Sequence, residues 1–144
     1  MDFNIRVLQP WARDPAFYTT VWTEQSDTPA HEGPTHHHLA ELWTYEYPLS
    51  PAAQAKLAAE LSIIPQLLKQ AQMNLTGNAR DLWVTGTGSM QKQVEALDAL
   101  AEKTTGSGKD LRQAIRAARE ATVDFVAWLE QQAPSKSGPS GIGK

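Results

Sequence analysis

The sequence predicts an all-α protein: an antiparallel bundle of three to four helices with an irregular, aromatic-rich N-terminal segment. Residues 51–133 are rich in Ala, Leu, Gln and Glu, which favour helices. Apolar residues in this region recur every three or four positions, and short turn sequences separate the periodic stretches. No strand pattern competes with the helical one, and no fixed-period repeat indicates a solenoid. Helix packing around one shared core is therefore predicted.

The first helical stretch is predicted to run from Ser50 towards Gly77. Ser50 can cap the helix, and Pro51 suits the first helical position because the N–H that proline lacks has no helical partner there. Gly77 is expected to close the far end. Pro65 would clash with an earlier carbonyl in an unbroken helix, so a kink or split is expected near Ser62. One apolar face carries Leu57, Leu61, Ile64, Leu68, Ala71 and Leu75.

The second stretch is predicted to begin with a capping pair, Asn78 and Asp81, and to end at Gly106. The Gly-, Thr- and Ser-rich run at 85–89 is expected to weaken its first half, because glycine disfavours helix interiors. Its predicted buried face carries Met90, Val94, Leu97 and Ala101.

The third stretch has the clearest helical period in the sequence. It is predicted to begin at Ser107, with Asp110 in its first turn, and to stop before Pro134. Its apolar stripe consists of Leu111, Ile115, Ala118, Thr122, Phe125 and Leu129. Residues 134–144 are predicted to be a flexible tail by composition.

Residues 1–50 hold three of the five tryptophans, all three tyrosines and all four histidines. We interpret them as an irregular segment packed on the 51–133 bundle. Its aromatic side chains are expected to cover the bundle, although lining a carbohydrate or peptide groove is an alternative. Trp83 and Trp128 lie within helical stretches and are predicted to be packing residues.

Charge and composition exclude several classes of function. The chain of 144 residues has a net charge of −3, with no dense basic face, so a nucleic-acid partner is not expected. The absence of cysteine excludes disulfides and Cys-ligated metal within the chain. No apolar run approaches the length of a membrane span, and no secretory signal is apparent, so a soluble protein is expected. The cytoplasm and the periplasm both remain open, since an internal piece of an exported protein would look the same.

The C-terminal residues Gly138–Lys144 match the first part of a phosphate-binding loop, G-x-x-x-x-G-K. That loop works because a strand precedes it and a helix follows, which aims backbone N–H groups at the phosphates. Here a charged, glutamine-rich helix end precedes it. A nucleotide site is therefore not predicted.

The His31–His38 stretch contains all four histidines and Glu32, which are zinc ligands or general bases by type. A zincin requires H-E-x-x-H on a helix, whereas position 35 is Thr and Pro34 interrupts the turn. We interpret this stretch as a polar loop. The alternative is a small metal-dependent hydrolase that uses it.

Five pieces of the chain, in this order, resemble the N-terminal part of the bacterial family known as domain of unknown function 885. The resemblance spans nearly the whole chain, and the ordered set is more specific than any single piece. The pieces are Trp11–Tyr18, Tyr47–Ser50, Ile64–Leu75, Ala127–Glu130 and Ser140–Lys144.

Members of this family are several times longer, largely helical, and similar to zinc-dependent metallopeptidases. Their His/Glu metal motif, H-E-x-x-P-G-H, follows the glycine-lysine segment that ends this chain. The His31–His37 stretch is one residue shorter than that motif and precedes the Ile64–Leu75 piece, so no ligand role is transferred to it. The resemblance thus implies zinc in a missing catalytic region, and we assign no catalytic, cofactor or metal residue to this chain.

The resemblance predicts a non-catalytic N-terminal fragment that covers or shapes the cleft of a hydrolase. Its expected partners are the missing C-terminal catalytic region and, through exposed apolar helix faces, other copies of itself. An independent helical protein-interaction module remains a further alternative.

Overall fold

Four α-helices packed together make up most of the part of the chain that the structure describes, so the predicted all-α helical bundle is confirmed. The structure is a computed structural model, and it describes residues 15–23, 39–77 and 80–136. The helices are α1 (Pro51–Leu61), α2 (Ile64–Asn74), α3 (Arg80–Lys103) and α4 (Lys109–Gln132).

Helices α1 and α2 follow the predicted stripe closely. The Ser50 hydroxyl accepts a hydrogen bond from the Ala53 N–H at 3.1 Å, which caps α1. The helix is interrupted at the predicted position, and a new helix begins at Ile64. Pro65 lies in the first turn of this new helix, where the N–H that proline lacks needs no helical partner. One expectation was wrong: α2 ends at Asn74, with the extended Leu75 as its C-cap, and is not closed by Gly77. The stripe residues Leu57, Leu61, Ile64, Leu68, Ala71 and Leu75 are all buried.

Helix α3 differs from its prediction in two respects. The helix continues without a break through the run at 85–89, where Gly86 is packed so tightly that an added Cβ would lie 2.6 Å from the Cβ of Pro15. The buried face includes Gln93 and Leu100, whereas the predicted Val94 is half-buried and Ala101 is exposed. The hydropathy pattern failed here because the buried glutamine finds partners outside the helix.

The two ends of α3 can be compared with the capping predictions only in part. Asn78 lies outside the described residues, and Asp81 is in the first turn, as expected. The helix ends at Lys103, so Gly106 lies in the connecting turn instead of terminating the helix directly.

Helix α4 buries every predicted stripe residue and ends before Pro134, which lies in a short 3-10 helix, Ala133–Ser135. Its N-cap is Gly108 and not Ser107, and no side chain caps it. The Gly108 N–H donates instead to the side-chain carbonyl oxygen of Gln54 on α1 at 2.9 Å. A long-range contact has therefore replaced the predicted local cap.

Helix α4 is the centre of the bundle, because it contacts α1, α2 and α3. Side-chain pairs show that α3 and α4 are antiparallel: Gln91 bonds to Glu130 at 3.3 Å, while Asp98, further along α3, pairs with Arg119, earlier on α4. On the opposite side from these surface pairs, aromatic rings fill the core.

The aromatic core joins the helices to the N-terminal segment. The ring centroids of Trp83 and Trp128 are 5.4 Å apart, and those of Phe125 and Trp128 are 5.9 Å apart. Tyr18 meets Phe125 edge-on at 6.5 Å. Such pairs contribute about 0.5–1.5 kcal/mol each beyond the area they bury. The predicted packing roles of Trp83 and Trp128 are confirmed.

The described parts of residues 1–50 contain a short strand pair that the sequence did not predict. Val21 lies opposite Ala40 in a parallel ladder, and the Ala40 N–H donates to the Thr20 carbonyl at 3.0 Å. Strands of two residues are too short to produce a period-two pattern, which is why no signal was visible. The elements are the 3-10 helices Pro15–Tyr18 and Leu42–Thr44, and the strands β1 (Val21–Trp22) and β2 (Ala40–Glu41).

Candidate functional site

The two motifs that the sequence analysis weighed as reactive sites, His31–His38 and Gly138–Lys144, both lie outside the described residues. Within residues 15–23, 39–77 and 80–136, no three His, Asp or Glu side chains are grouped so that they could hold a metal ion. Over the same ranges, no helix is long and apolar enough to cross a bilayer. The alternative of a small metal-dependent hydrolase that uses the His31–His38 stretch therefore stays a prediction.

The N-terminal aromatic residues divide between core and surface. Tyr18 is buried, whereas Tyr45 and Tyr47 are half-buried and 41% of Trp43 is exposed. Trp11 lies outside the described residues. The interpretation that these residues cover the bundle thus applies to Tyr18 but not to Trp43, much of whose side chain is exposed to solvent.

Trp43, Tyr45 and Tyr47 line a cleft between the N-terminal segment and the C-terminal half of α3. The cleft has a volume of about 300 Å³. Thr23 closes it on one side, and Lys103 reaches it from the last turn of α3. We call this feature the aromatic cleft, defined by Thr23, Trp43, Tyr45, Tyr47, Ala99 and Lys103.

Two lysine ammonium groups lie against tyrosine rings at or beside the aromatic cleft. The Lys103 Nζ atom is 5.0 Å from the centroid of the Tyr47 ring, and the Lys56 Nζ atom is 5.5 Å from that of Tyr45. Both distances are within the range of a cation–π contact. The contacts orient the lysine side chains without neutralising their charge.

The tyrosine hydroxyls of the cleft differ in their hydrogen bonding. The Tyr45 hydroxyl donates to the Glu60 carboxylate at 2.8 Å. Burial, together with this bond, raises the pKa of Tyr45 well above its usual value. The Tyr47 hydroxyl is buried without a partner among the described residues, and burial raises its pKa as well. Both phenols are therefore neutral and neither acts as a base near neutral pH.

The lining of the aromatic cleft contains rings, hydroxyls and an ammonium group, but no carboxylate or imidazole from the described residues. Nucleophilic and general-base catalysis require an activated nucleophile or a base within hydrogen-bonding reach. The described lining thus offers aromatic contact surface and one cation to a ligand.

A buried polar cluster, which we call the Gln93 latch, fixes the N-terminal segment beside the cleft. The Gln93 Oε1 atom accepts hydrogen bonds from the N–H groups of Thr20 at 2.8 Å and Val21 at 3.2 Å. Its Nε2 atom donates to the Thr122 hydroxyl at 3.2 Å, and that hydroxyl donates to the Ala118 carbonyl at 2.7 Å. One side chain thus connects β1, α3 and α4.

A second cavity, of about 320 Å³, lies between α1 and the start of α4. Lys109 and Asp110 line it, together with Pro51 and Gln54. Its described lining has no aromatic ring, and Gln54 already satisfies the Gly108 N–H. This cavity is similar in volume to the aromatic cleft but has no ring against which a flat ligand could stack.

Comparison of the chain with models of known families, with curated proteins and with solved structures finds no match in any of the three.

Proposed function

We propose that this chain is the non-catalytic, N-terminal helical part of a hydrolase similar to zinc-dependent metallopeptidases, and that it covers or shapes the cleft of the catalytic region. The proposal depends on one observation. Where the pieces that carry the family resemblance lie in the described residues, they form helix ends and packing contacts of the bundle.

The Tyr47–Ser50 piece forms the entry to α1. Leu49 is buried, and Ser50 caps the helix. The Ile64–Leu75 piece is α2 with its C-cap, and its second residue, Pro65, lies at the start of the helix. These residues form helix ends and a buried helix face, which supports a shared scaffold as the basis of the resemblance.

The Ala127–Glu130 piece has the same character on α4. Trp128 stacks near Phe125 and Trp83, and Leu129 is fully buried. A relative that retained this pattern would retain the way α4 packs against its neighbours. The residues of this piece are thus packing residues, as we expect for a non-catalytic domain that covers the catalytic region.

Exposed apolar side chains supply the contact with the catalytic region in this proposal. Ile63, at the split between α1 and α2, is 49% exposed, and Met73, near the end of α2, is 74% exposed. Val84, on the first turns of α3, is 56% exposed.

Hydrolysis and metal content of the tag-free chain test the proposal. We expect a helical circular dichroism spectrum, no metal-dependent peptide hydrolysis, and turnover only when the downstream region of the parent is present. Efficient metal-dependent turnover by the chain alone would overturn the proposal.

The same preparation separates the alternatives. A stoichiometric zinc ion that is lost in His31→Ala or His36→Ala would favour a small hydrolase built on the His31–His38 loop. A stable monomer that binds one specific protein, with no effect of the downstream region, would favour an independent interaction module.

A further inference from the structure

We propose that the aromatic cleft is a binding site for a small carboxylate that carries an aromatic ring, such as an arylalkyl acid. The inference is independent of the proposed hydrolase, because it depends only on the lining of the cleft.

The aromatic side chains of the lining favour a ligand that carries a flat ring. Three aromatic side chains, Trp43, Tyr45 and Tyr47, converge on one concavity. Ligand sites are typically concave, lined by apolar and aromatic groups, with a few polar groups that fix orientation. Trp43 is 41% exposed although the other described tryptophans are buried or half-buried. A ring bound against this indole would remove apolar surface from water, which stabilises the complex.

The charge on the lining favours an anion. Lys103 is the only charged residue among the described residues that line the cleft. No carboxylate of the described chain forms an ion pair with it, whereas Arg119 is paired with Asp98. The contact of its ammonium group with the Tyr47 ring, at 5.0 Å, directs the charge towards the cleft without cancelling it. A ligand carboxylate would thus meet an unneutralised cation beside an aromatic wall.

The volume of the cleft is compatible with a small ligand. At about 300 Å³, the cleft lies at the lower end of the range of small-molecule sites. A single ring with a short acid chain is a ligand of suitable size.

The test is a titration of the whole chain with 3-phenylpropionate, followed by saturation-transfer NMR on the ligand. For a ligand of this size we expect a Kd on the order of 1 mM. The neutral analogue 3-phenylpropan-1-ol should bind at least about fivefold more weakly, because a charge-assisted contact to Lys103 is lost. This comparison needs no variant and so does not depend on folding of a mutant.

Two lysine variants then locate the charge. Lys103→Met should weaken binding of the acid at least about fivefold and leave binding of the alcohol unchanged. The matched control is Lys109→Met, because Lys109 lines the second cavity, which has no aromatic lining. It should leave both ligands unaffected. Both lysines are exposed, so both variants should retain the helical spectrum of the parent.

Trp43→Ala should abolish saturable binding of both ligands, since the ring contact is common to them. The proposal is overturned if the acid shows no saturation up to roughly 10 mM. It is also overturned if acid and alcohol bind equally well, or if Lys103→Met and Lys109→Met have the same effect.

Discussion

Gln93→Leu is the sharpest test of how the N-terminal segment is held to the bundle. The Gln93 side chain is 2% exposed, and its carbonyl oxygen accepts from the N–H groups of Thr20 and Val21. Leucine has a similar size but offers no acceptor. Each buried N–H left without a partner costs about 1–3 kcal/mol. Burial of the leucine side chain returns about 1.5–3 kcal/mol. We therefore expect the free energy of unfolding to fall by about 1–3 kcal/mol.

Urea unfolding followed by circular dichroism measures this change. The matched control is Gln91→Leu, two residues earlier on the same helix, whose exposed amide bonds to Glu130 on the surface. Its stability should stay within about 0.5 kcal/mol of the parent, as is usual for surface substitutions. Hydrogen exchange adds a local readout, because the amides of Thr20 and Val21 should lose protection in Gln93→Leu before those of α4 do.

Two results would refute the reasoning. If Gln93→Leu is as stable as Gln91→Leu, the latch contributes nothing to the fold. If Gln93→Leu is destabilised but the Thr20 and Val21 amides keep their protection, the loss arises from repacking of α3 and not from the hydrogen bonds described above.

Further predictions concern a glycine contact and the tyrosines. Gly86→Ala should lower the free energy of unfolding by about 1–3 kcal/mol through overpacking, because the new Cβ would lie 2.6 Å from that of Pro15. Gly88→Ala meets open space and should raise it by up to about 1 kcal/mol; equal effects in urea unfolding would contradict both. Tyr47→Phe should leave stability unchanged or raise it, since its buried hydroxyl has no partner among the described residues. Tyr45→Phe should lower it by about 1 kcal/mol, since a hydrogen bond to a carboxylate is lost; the reverse order in thermal unfolding would refute this pair. Burial raises the pKa of all three tyrosines, so the folded state favours their neutral form. The stability that this gives is present below the unfolded pKa of about 10 and is lost as the pH rises above it. A flat profile of unfolding temperature from about pH 8 to about pH 11 would contradict the shifts.

Most of the helical core could be predicted because its signal is local. The stripes of α1, α2 and α4 are runs of apolar residues at helical spacing, and burying one face of a helix requires nothing more than a neighbouring helix. The split at Pro65 was equally local, since it follows from the geometry of proline. These features were visible without any knowledge of what the helices contact.

The buried face of α3 could be predicted only in part, because its signal is not local. Gln93 is buried since it bonds to Thr20, 73 positions away in the sequence. A hydropathy pattern counts a glutamine as polar and so selected Val94 as the buried neighbour. Gly86 is similar, because the Pro15 contact that makes a small residue necessary is invisible in the glycine-rich run itself.

The candidate site could be anticipated by residue type but not by position. Aromatic enrichment before residue 50 suggested either a cover for the bundle or a groove, and the structure assigns Tyr18 to the first role and Trp43 to the lining of a cleft. Nothing in the sequence distinguishes Lys103 from the other lysines. Its role follows from the end of α3 lying beside Tyr47, which is a tertiary contact.

The Gln93 latch is structurally connected to the aromatic cleft. The latch fixes β1, β1 pairs with β2, and β2 leads directly into the 3-10 helix that carries Trp43. The opposite wall of the cleft is formed by α3, only one to three turns beyond Gln93. Gln93 holds β1 against α3, and these two elements position the two walls of the cleft. If its hydrogen bonds are lost, one wall can therefore move relative to the other. Loss of the Thr20 and Val21 hydrogen bonds should therefore weaken ligand binding in the cleft even though Gln93 itself does not line it.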